Sequence, residues 1–287
     1  MAEQTASRTA VLVCQGRAVA DGRYAVGRFA DPTARKLLRA DEREQVRQVG
    51  ADEPPKELGG RMAYEMIKAG ALLIVARTVA IDDAVVAHEG PQVVILGAGL
   101  DGRAWRMDAL AGVPVFEVDQ PASQRDKRDR AEALPAGRAP RYVPVDFGED
   151  DLGEALEAAG HDARTPTTWV WEGVVPYLTR DEVTATVAGV AERSAPGSRL
   201  IVNYQAPSVT GVIARRLIGG AMRRANPWAA EPWRSAWSAS GMSGLLARYG
   251  FVVRDDHDLL ATAVTLDAPT GPRTSQRNAR VAVADKA

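Results

Sequence analysis

The stretch VVILGAGLDGRAWRM, Val93 to Met107, is an apolar run that breaks off at Gly97-Ala98-Gly99-Leu100-Asp101-Gly102. Consecutive branched apolar residues predict a buried strand, and the glycines predict a tight turn opening into a helix. Residues without side chains let a ligand approach the backbone there, and the helix start favours anionic groups. The spacing fits GxGxxG, the dinucleotide fingerprint, which expects an acidic residue about 20 positions on. Glu117 and Asp119 end the next apolar run, VPVFEVD.

Two cofactor classes fit this loop, a nicotinamide or flavin dinucleotide and S-adenosylmethionine (SAM). Both need a carboxylate for the ribose. The pattern continues outward as VPVFEVD, RYVPVD, TTWVWEG and RLIVNY, each followed by a polar, helix-compatible segment. Strands alternating with helices predict a parallel sheet. Thr179 and Glu182 stand at capping-box spacing ahead of Val183, Val187 and Val190, so a helix starts there and ends before Pro196-Gly197. Phe251 to Arg254 and Ala261 to Leu266 are two further strand candidates, and their short connection favours antiparallel pairing.

Upstream of the loop the pattern is helical. Met62, Met66, Ala69, Leu73, Ala76 and Ala80 recur at spacings of three and four, and Asp41 to Leu58 reads as a helix end plus exposed loop. The expected organisation is an N-terminal helical cap over residues 1–90 and a Rossmann-like core over 91–267. Within that core, 205–240 reads as a lid or substrate insertion, and 268–287 reads as a flexible tail.

Composition bounds the function. At 287 residues with 46% hydrophobic content the chain can bury an ordinary core, and 36 Lys and Arg against 37 Asp and Glu leave no basic footprint for nucleic acid. The expected partner is a small-molecule acceptor, with neither nucleic acid nor membrane, and a homo-oligomer is compatible with this composition. The single Cys14 excludes an intramolecular disulfide and suits a reducing cytoplasm, where it is expected as a buried small residue. No signal-peptide pattern and no bilayer-length apolar stretch is present in the sequence, so a cytoplasmic protein is expected. No motif for a metal site occurs, and none is expected.

Five parallel strands closed by an antiparallel pair are the plan of class I methyltransferases, with an N-terminal helical extension and a lid after the fifth strand. The dehydrogenase signature YxxxK occurs at Tyr64 to Lys68 but precedes the glycine loop, and reads as accidental surface spacing on a long helix. TAVLVCQGRA, FADPTARKLL, ARTVAIDDAV, LGAGLDGRAWRM, FEVDQP, VPVDF and WEGVVPYLT follow in order from Thr9 to Thr179. Together they resemble the leucine carboxyl methyltransferase family of SAM-dependent enzymes, in particular its bacterial branch of natural-product O-methyltransferases, the tetracenomycin-type carboxyl methyltransferases.

The resemblance implies a cofactor set. Arg77 would pair with the SAM carboxylate, as a guanidinium can bidentately. Gly97, Ala98 and Gly99 would lie under the methionine part. Asp119, followed by Gln120, would accept the ribose hydroxyls, with Glu117 as the alternative acid. Asp146 would accept from the adenine amino group while Phe147 packs on the ring. Glu172 and Gly173 would lie by the SAM amino-acid portion, and Arg17 is the nearest match to a basic residue that the family uses near its N-terminus. The product would be S-adenosylhomocysteine.

For the acceptor, His88, His161 and His257 all read as solvated, which favours a carboxylate needing no general base. An aspartate or Tyr177 remains as a candidate base, and the catalytic residue is left open. Trp233, Arg234 and Trp237 in EPWRSAW would suit a planar acidic acceptor such as an aromatic polyketide, or pack as an ordinary lid. An NAD(P)-dependent oxidoreductase and a non-catalytic SAM-binding protein remain the alternative readings.

Overall fold

The computed structural model describes residues 7–146, 150–207, 233–270 and 273–287. The apolar runs become β1 (Gln92–Leu96), β2 (Val115–Asp119), β3 (Arg141–Pro144), β4 (Thr167–Trp171) and β5 (Arg199–Gln205). Every residue of β1 and β4 is buried, as interior parallel strands covered on both faces must be. With β6 (Phe251–Asp258) and β7 (Ala279–Lys286) they form one sheet in the order β3-β2-β1-β4-β5-β7-β6. The first five strands are parallel, and β7 runs antiparallel to both β5 and β6.

Helices α1 (Arg8–Ala20), α2 (Ala34–Leu37), α3 (Ala40–Ala51) and α4 (Leu58–Val86) precede the sheet. Helices α5 (Arg103–Arg106) and α6 (Pro121–Arg130) follow β1 and β2, and α7 (Leu152–Ala158) and α8 (Arg180–Glu192) flank β4. Helices α9 (Ala239–Arg248), α10 (Leu259–Thr265) and α11 (Arg273–Asn278) complete the described set. Strand alternation divides the core. Val93, Ile95, Ile201 and Val281 pack with residues of α1, α4 and α10, whereas Val94, Leu96, Trp169 and Trp171 pack with α7, α8 and α9. The expected capping box starts α8: the Glu182 N–H donates to Thr179 Oγ1 at 3.2 Å and the Thr179 N–H to Glu182 Oε2 at 2.6 Å.

Several expectations need correction. Ala261 to Leu266 is not a strand, because Leu259 and Ala263 bury one helical face and Asp258 caps it by accepting from the Ala261 N–H at 2.9 Å. The last strand comes from the supposed flexible tail. Val281 and Val283 face one layer of the core and Ala282 and Ala284 the other, so β7 is an inner strand. Most of Asp41 to Leu58 is also ordered: α3 buries Val46 and Val49, and its start is held by the Glu42 carboxylate accepting from the Arg39 N–H at 2.7 Å. Tyr64 is buried rather than superficial, and its hydroxyl and the Lys68 ammonium both donate to Asp52 Oδ1, at 2.6 and 2.8 Å, which ties α4 to the end of α3.

Residues 208–232, most of the expected lid, and Phe147 lie outside the described residues. Cys14 is buried, with Sγ donating to the Ala34 carbonyl at 3.3 Å, and burial pushes its thiol up to about 12. Among the described residues no helix is long and apolar enough to cross a membrane.

Candidate cofactor site

The glycine loop is shaped by contact on both sides. Gly97 and Gly99 hold φ of +63° and +47°, the left-handed region that L side chains seldom adopt. A Cβ on Gly97 would lie 2.4 Å from Val174 Cγ2, and one on Gly99 would lie 2.9 Å from Ala10 Cβ of α1. The loop thus runs tight beneath α1 and beside the turn after β4. A cavity of about 450 Å³ opens over it, at the carboxyl ends of β1, β2 and β4. This is where the strand order reverses, the usual ligand crevice of an open α/β sheet.

Asp119, at the end of β2, faces that cavity and braces the loop. Its Oδ2 accepts from the Gly99 N–H at 2.6 Å and its Oδ1 from the Gln120 N–H at 2.7 Å. Burial raises its carboxyl above the ordinary range, against these two bonds, which favour the anion. Glu117 goes elsewhere: it is fully buried against Lys127 Nζ at 2.5 Å and pushed up to about 7 by burial. It does not line the cavity, so the two acids of VPVFEVD have separate environments.

The opposite end of the cavity is ionic. Arg77 of α4 donates from Nε to Glu172 Oε1 at 2.7 Å, and Arg103 Nη1 stands 2.7 Å from Glu172 Oε2. Arg103 is fully buried and also binds Asp101 and, through Nε at 2.7 Å, Asp82. Arg106 reaches the same Asp82 from Nη1 at 2.6 Å. Arg17 of α1 is buried with Nη2 donating to the Leu100 carbonyl at 3.2 Å and Nε 3.6 Å from Asp31. Burial alone would raise the Glu172 carboxyl, but Arg103, Arg77 and Arg17 together hold it well below the carboxylate range. Glu172 is therefore an anion at every physiological pH.

The structure brings together most residues expected at the site. Arg17, Arg77, Gly97, Ala98, Gly99, Asp119, Gln120, Glu172, Gly173 and Tyr177 all line this one cavity. Asp146 follows β3, with its N–H donating to Asp150 Oδ2 at 2.8 Å, and is not part of the described lining. The expected acceptor contacts are not brought to it. Arg234 Nη1 pairs with Glu182 Oε2 at 3.0 Å, Trp237 is buried under the Arg180 guanidinium at 4.4 Å, and Trp233 is 49% exposed.

Of the three histidines expected to be solvated, His161 is buried, whereas His88 and His257 are half-exposed. His161 is buried between Phe116 and Trp169, His88 bonds Thr168 and Gly197, and His257 lies within β6 rather than in a connecting loop. None lines the cavity. Sequence reasoning assigned no role to Asp82, Asp101, Arg103 or Arg106, although LGAGLDGRAWRM contains three of them. Three charges on so short a stretch, with Asp82 far off on α4, give no sign of burial until the fold encloses them.

The leucine carboxyl methyltransferase family model matches residues 10–191. A protein of Frankia alni named "Putative S-adenosyl-L-methionine-dependent methyltransferase" is 38% identical over 211 residues, covering 71% of this chain and 70% of that one. A like-named protein of Mycobacterium sp. (strain JLS) is 33% identical over 227 residues, covering 77% and 71%. Another, from Mycolicibacterium smegmatis, is 48% identical over 119 residues, and there the chain spans only 38% of the relative's length. Among solved structures, a DUF574 family protein of Streptomyces avermitilis superposes with a TM-score of 0.58 at 15% identity, covering 98% of both chains. At that identity the likeness concerns the fold alone, an α/β sheet whose last strands are antiparallel.

Proposed function

Because the chain belongs to the leucine carboxyl methyltransferase family, we propose that it is a SAM-dependent O-methyltransferase acting on a carboxylate or hydroxyl of a small molecule, such as a natural product. The observation that carries this reading is the meeting of Arg77, Gly97, Asp119 and Glu172, from four separate segments, around one cavity. The cavity's volume is in the range of small-ligand sites. Its two ends have the character that the halves of SAM require, fixed charges at one and a hydrogen-bonding carboxylate at the other.

Arg77 spends Nε on Glu172, which leaves its Nη groups as donors for the methionine carboxylate. Glu172, held as an anion, suits the adjacent ammonium, with Gly173 beside it. Gly97, Ala98 and Gly99 form the floor, since any side chain at the two glycines would collide with Val174 or Ala10. The Asp119 carboxylate accepts the Gly99 and Gln120 N–H groups and a bond from Ser123, and its remaining acceptor capacity is assigned to the ribose hydroxyls, next to Gln120. Asp146 is assigned to the adenine edge. Arg17 lines the same cavity and supports Glu172 electrostatically.

Bound SAM supplies an electrophilic methyl carbon on a sulfonium. The chain's task is alignment, which can contribute up to roughly 7 to 11 kcal/mol by positioning alone. No histidine lines the described cavity, so a carboxylate acceptor, already ionised at neutral pH, needs nothing more than placement. Tyr177 is the lining hydroxyl that we assign to the acceptor side. Calorimetric titration with SAM and with NADH, followed by transfer of radiolabelled methyl to a panel of carboxylic acids and phenols, tests the reading. SAM binding and label in an ester or ether support it. NADH binding without SAM binding would replace it with an oxidoreductase, and SAM binding with no transfer to any acceptor would reduce it to a non-catalytic binder.

A further inference from the structure

Met66, Gly70, Leu73 and Arg77 succeed one another on α4 at spacings of four, three and four, so they share one face. The core takes a different face, that of Tyr64, Ile67, Ala71, Ile74 and Thr78. Part of the apolar stripe with helical spacing is thus left only half-buried at Met66 and Leu73. Leu12 and Val13 of α1 stand opposite, and between the two helices lies a second cavity of about 210 Å³. Every side chain lining it is apolar except Arg77.

This bay adjoins the cofactor cavity, with Val13 and Arg77 shared between the two linings. It meets that cavity at the Arg77 end, and Asp119 lines only the main cavity. On the cofactor reading given above, that end holds the amino-acid part of SAM, from which the reactive methyl projects. We propose that the bay between α1 and α4 receives the carbon skeleton of the acceptor. Its occupant is an apolar body about the size of one ring, whose reacting oxygen extends past Val13 into the main cavity. The size follows from volume: an apolar cavity of about 150 Å³ takes benzene, and this one is somewhat larger. The chemistry follows from the lining, which offers dispersion contacts and no polar partner but the guanidinium at its mouth.

Gly70 provides the test. A Cβ there meets nothing within 4 Å, and the residue lies in regular helix, so a larger side chain enters the bay without backbone strain. The full chain, saturated with S-adenosylhomocysteine, is titrated by fluorine NMR with 4-fluorobenzoate and 4-fluorophenol, and with fluoroacetate as the ringless control. At least one ring probe is expected to bind saturably and fluoroacetate not. Gly70→Phe should weaken the ring probe at least ten-fold and leave calorimetric S-adenosylhomocysteine affinity unchanged, while Gly70→Ala retains probe binding. Should Gly70→Phe fail to fold, Met66→Trp fills the bay from the next turn and is held to the same outcome. Equal ring binding in the filled variant, or none in the parent chain, overturns the proposal. Failure of S-adenosylhomocysteine to bind the parent chain overturns the cofactor reading instead, and the ring probes titrated alone then still decide whether the bay holds a ring.

Discussion

Arg77 on α4 and Glu172 just beyond β4 are joined by a 2.7 Å hydrogen bond from Nε to Oε1. The bond connects the helical N-terminal region to the sheet at the mouth of the cavity, and it orients a guanidinium whose remaining donors face inward. Glu172 keeps Arg103 as a second partner at 2.7 Å. Arg77→Ala should therefore leave Glu172 paired and weaken S-adenosylhomocysteine binding by roughly 1.5 to 3 kcal/mol, the worth of a charge-assisted bond. Calorimetry measures this, and an unchanged affinity would remove Arg77 from the site.

The two ends of the cavity can be separated with a fragment. Adenosine lacks the amino-acid part, so Arg77→Ala should not change its affinity, whereas Asp119→Ala should weaken both adenosine and S-adenosylhomocysteine. Asp119 also braces the Gly99 and Gln120 N–H groups, so part of its loss reflects a loosened loop. Titrating both ligands against both variants checks the pattern, and an adenosine loss in Arg77→Ala would reverse the assigned polarity.

Arg103 is structural on a larger scale. It is fully buried and pairs with Asp82, Asp101 and Glu172; deleting it would leave the buried Asp101 without its ion-pair partner, while Asp82 keeps Arg106 and Glu172 keeps Arg77. Breaking a buried pair by removing one partner costs about 3 to 5 kcal/mol. Arg103→Leu should lower stability by that order in urea unfolding, and a loss below about 1 kcal/mol would contradict a buried network.

His161 gives the pH dependence. Burial, followed by the nearby Arg193 cation, lowers its pKa from 6.5 to about 4. The unfolded chain then binds the proton first as pH falls. The contribution is fully present above about 6.5 and is lost as pH drops towards about 4, a total of about 3 kcal/mol. His161→Gln should flatten the difference in urea midpoint between pH 7 and pH 4.5, and an undiminished difference would assign it to other groups.

How much of this was legible in the sequence depended on whether the signal was local. VVILGAG and TTWVWEG are near-continuous apolar runs with breaks, and both became parallel strands; the Thr179 and Glu182 capping box formed as written. Ala261 to Leu266 failed because its threonines and valine suggest a strand, whereas its two alanines do not and the Asp258 cap favours a helix locally. ARVAVADK carries a clear alternation but follows a Pro, Gly and Thr-rich stretch, and its place between β5 and β6 is a long-range fact. Around the candidate site, motif order singled out Arg77 and Asp119, which both line the cavity. The Asp82, Asp101, Arg103 and Arg106 cluster was not, since burial of charge is decided by what packs over it.

The corrected C-terminus has its own consequence. Since β7 pairs with both β5 and β6, a chain ending at Asn278 leaves β6 without a partner and one side of β5 open, and loses the cooperative thermal transition. Circular dichroism melting of that truncation checks it, and an unaltered melt would restore the flexible tail.

The most direct test of the central claim is a crystal structure of the full chain with S-adenosylhomocysteine. The expected result is a ligand lying over Gly97 and Gly99, with its carboxylate within hydrogen-bonding distance of Arg77 and its ribose hydroxyls on Asp119. A ligand seated elsewhere, or lying in the cavity with its ends exchanged, would contradict it.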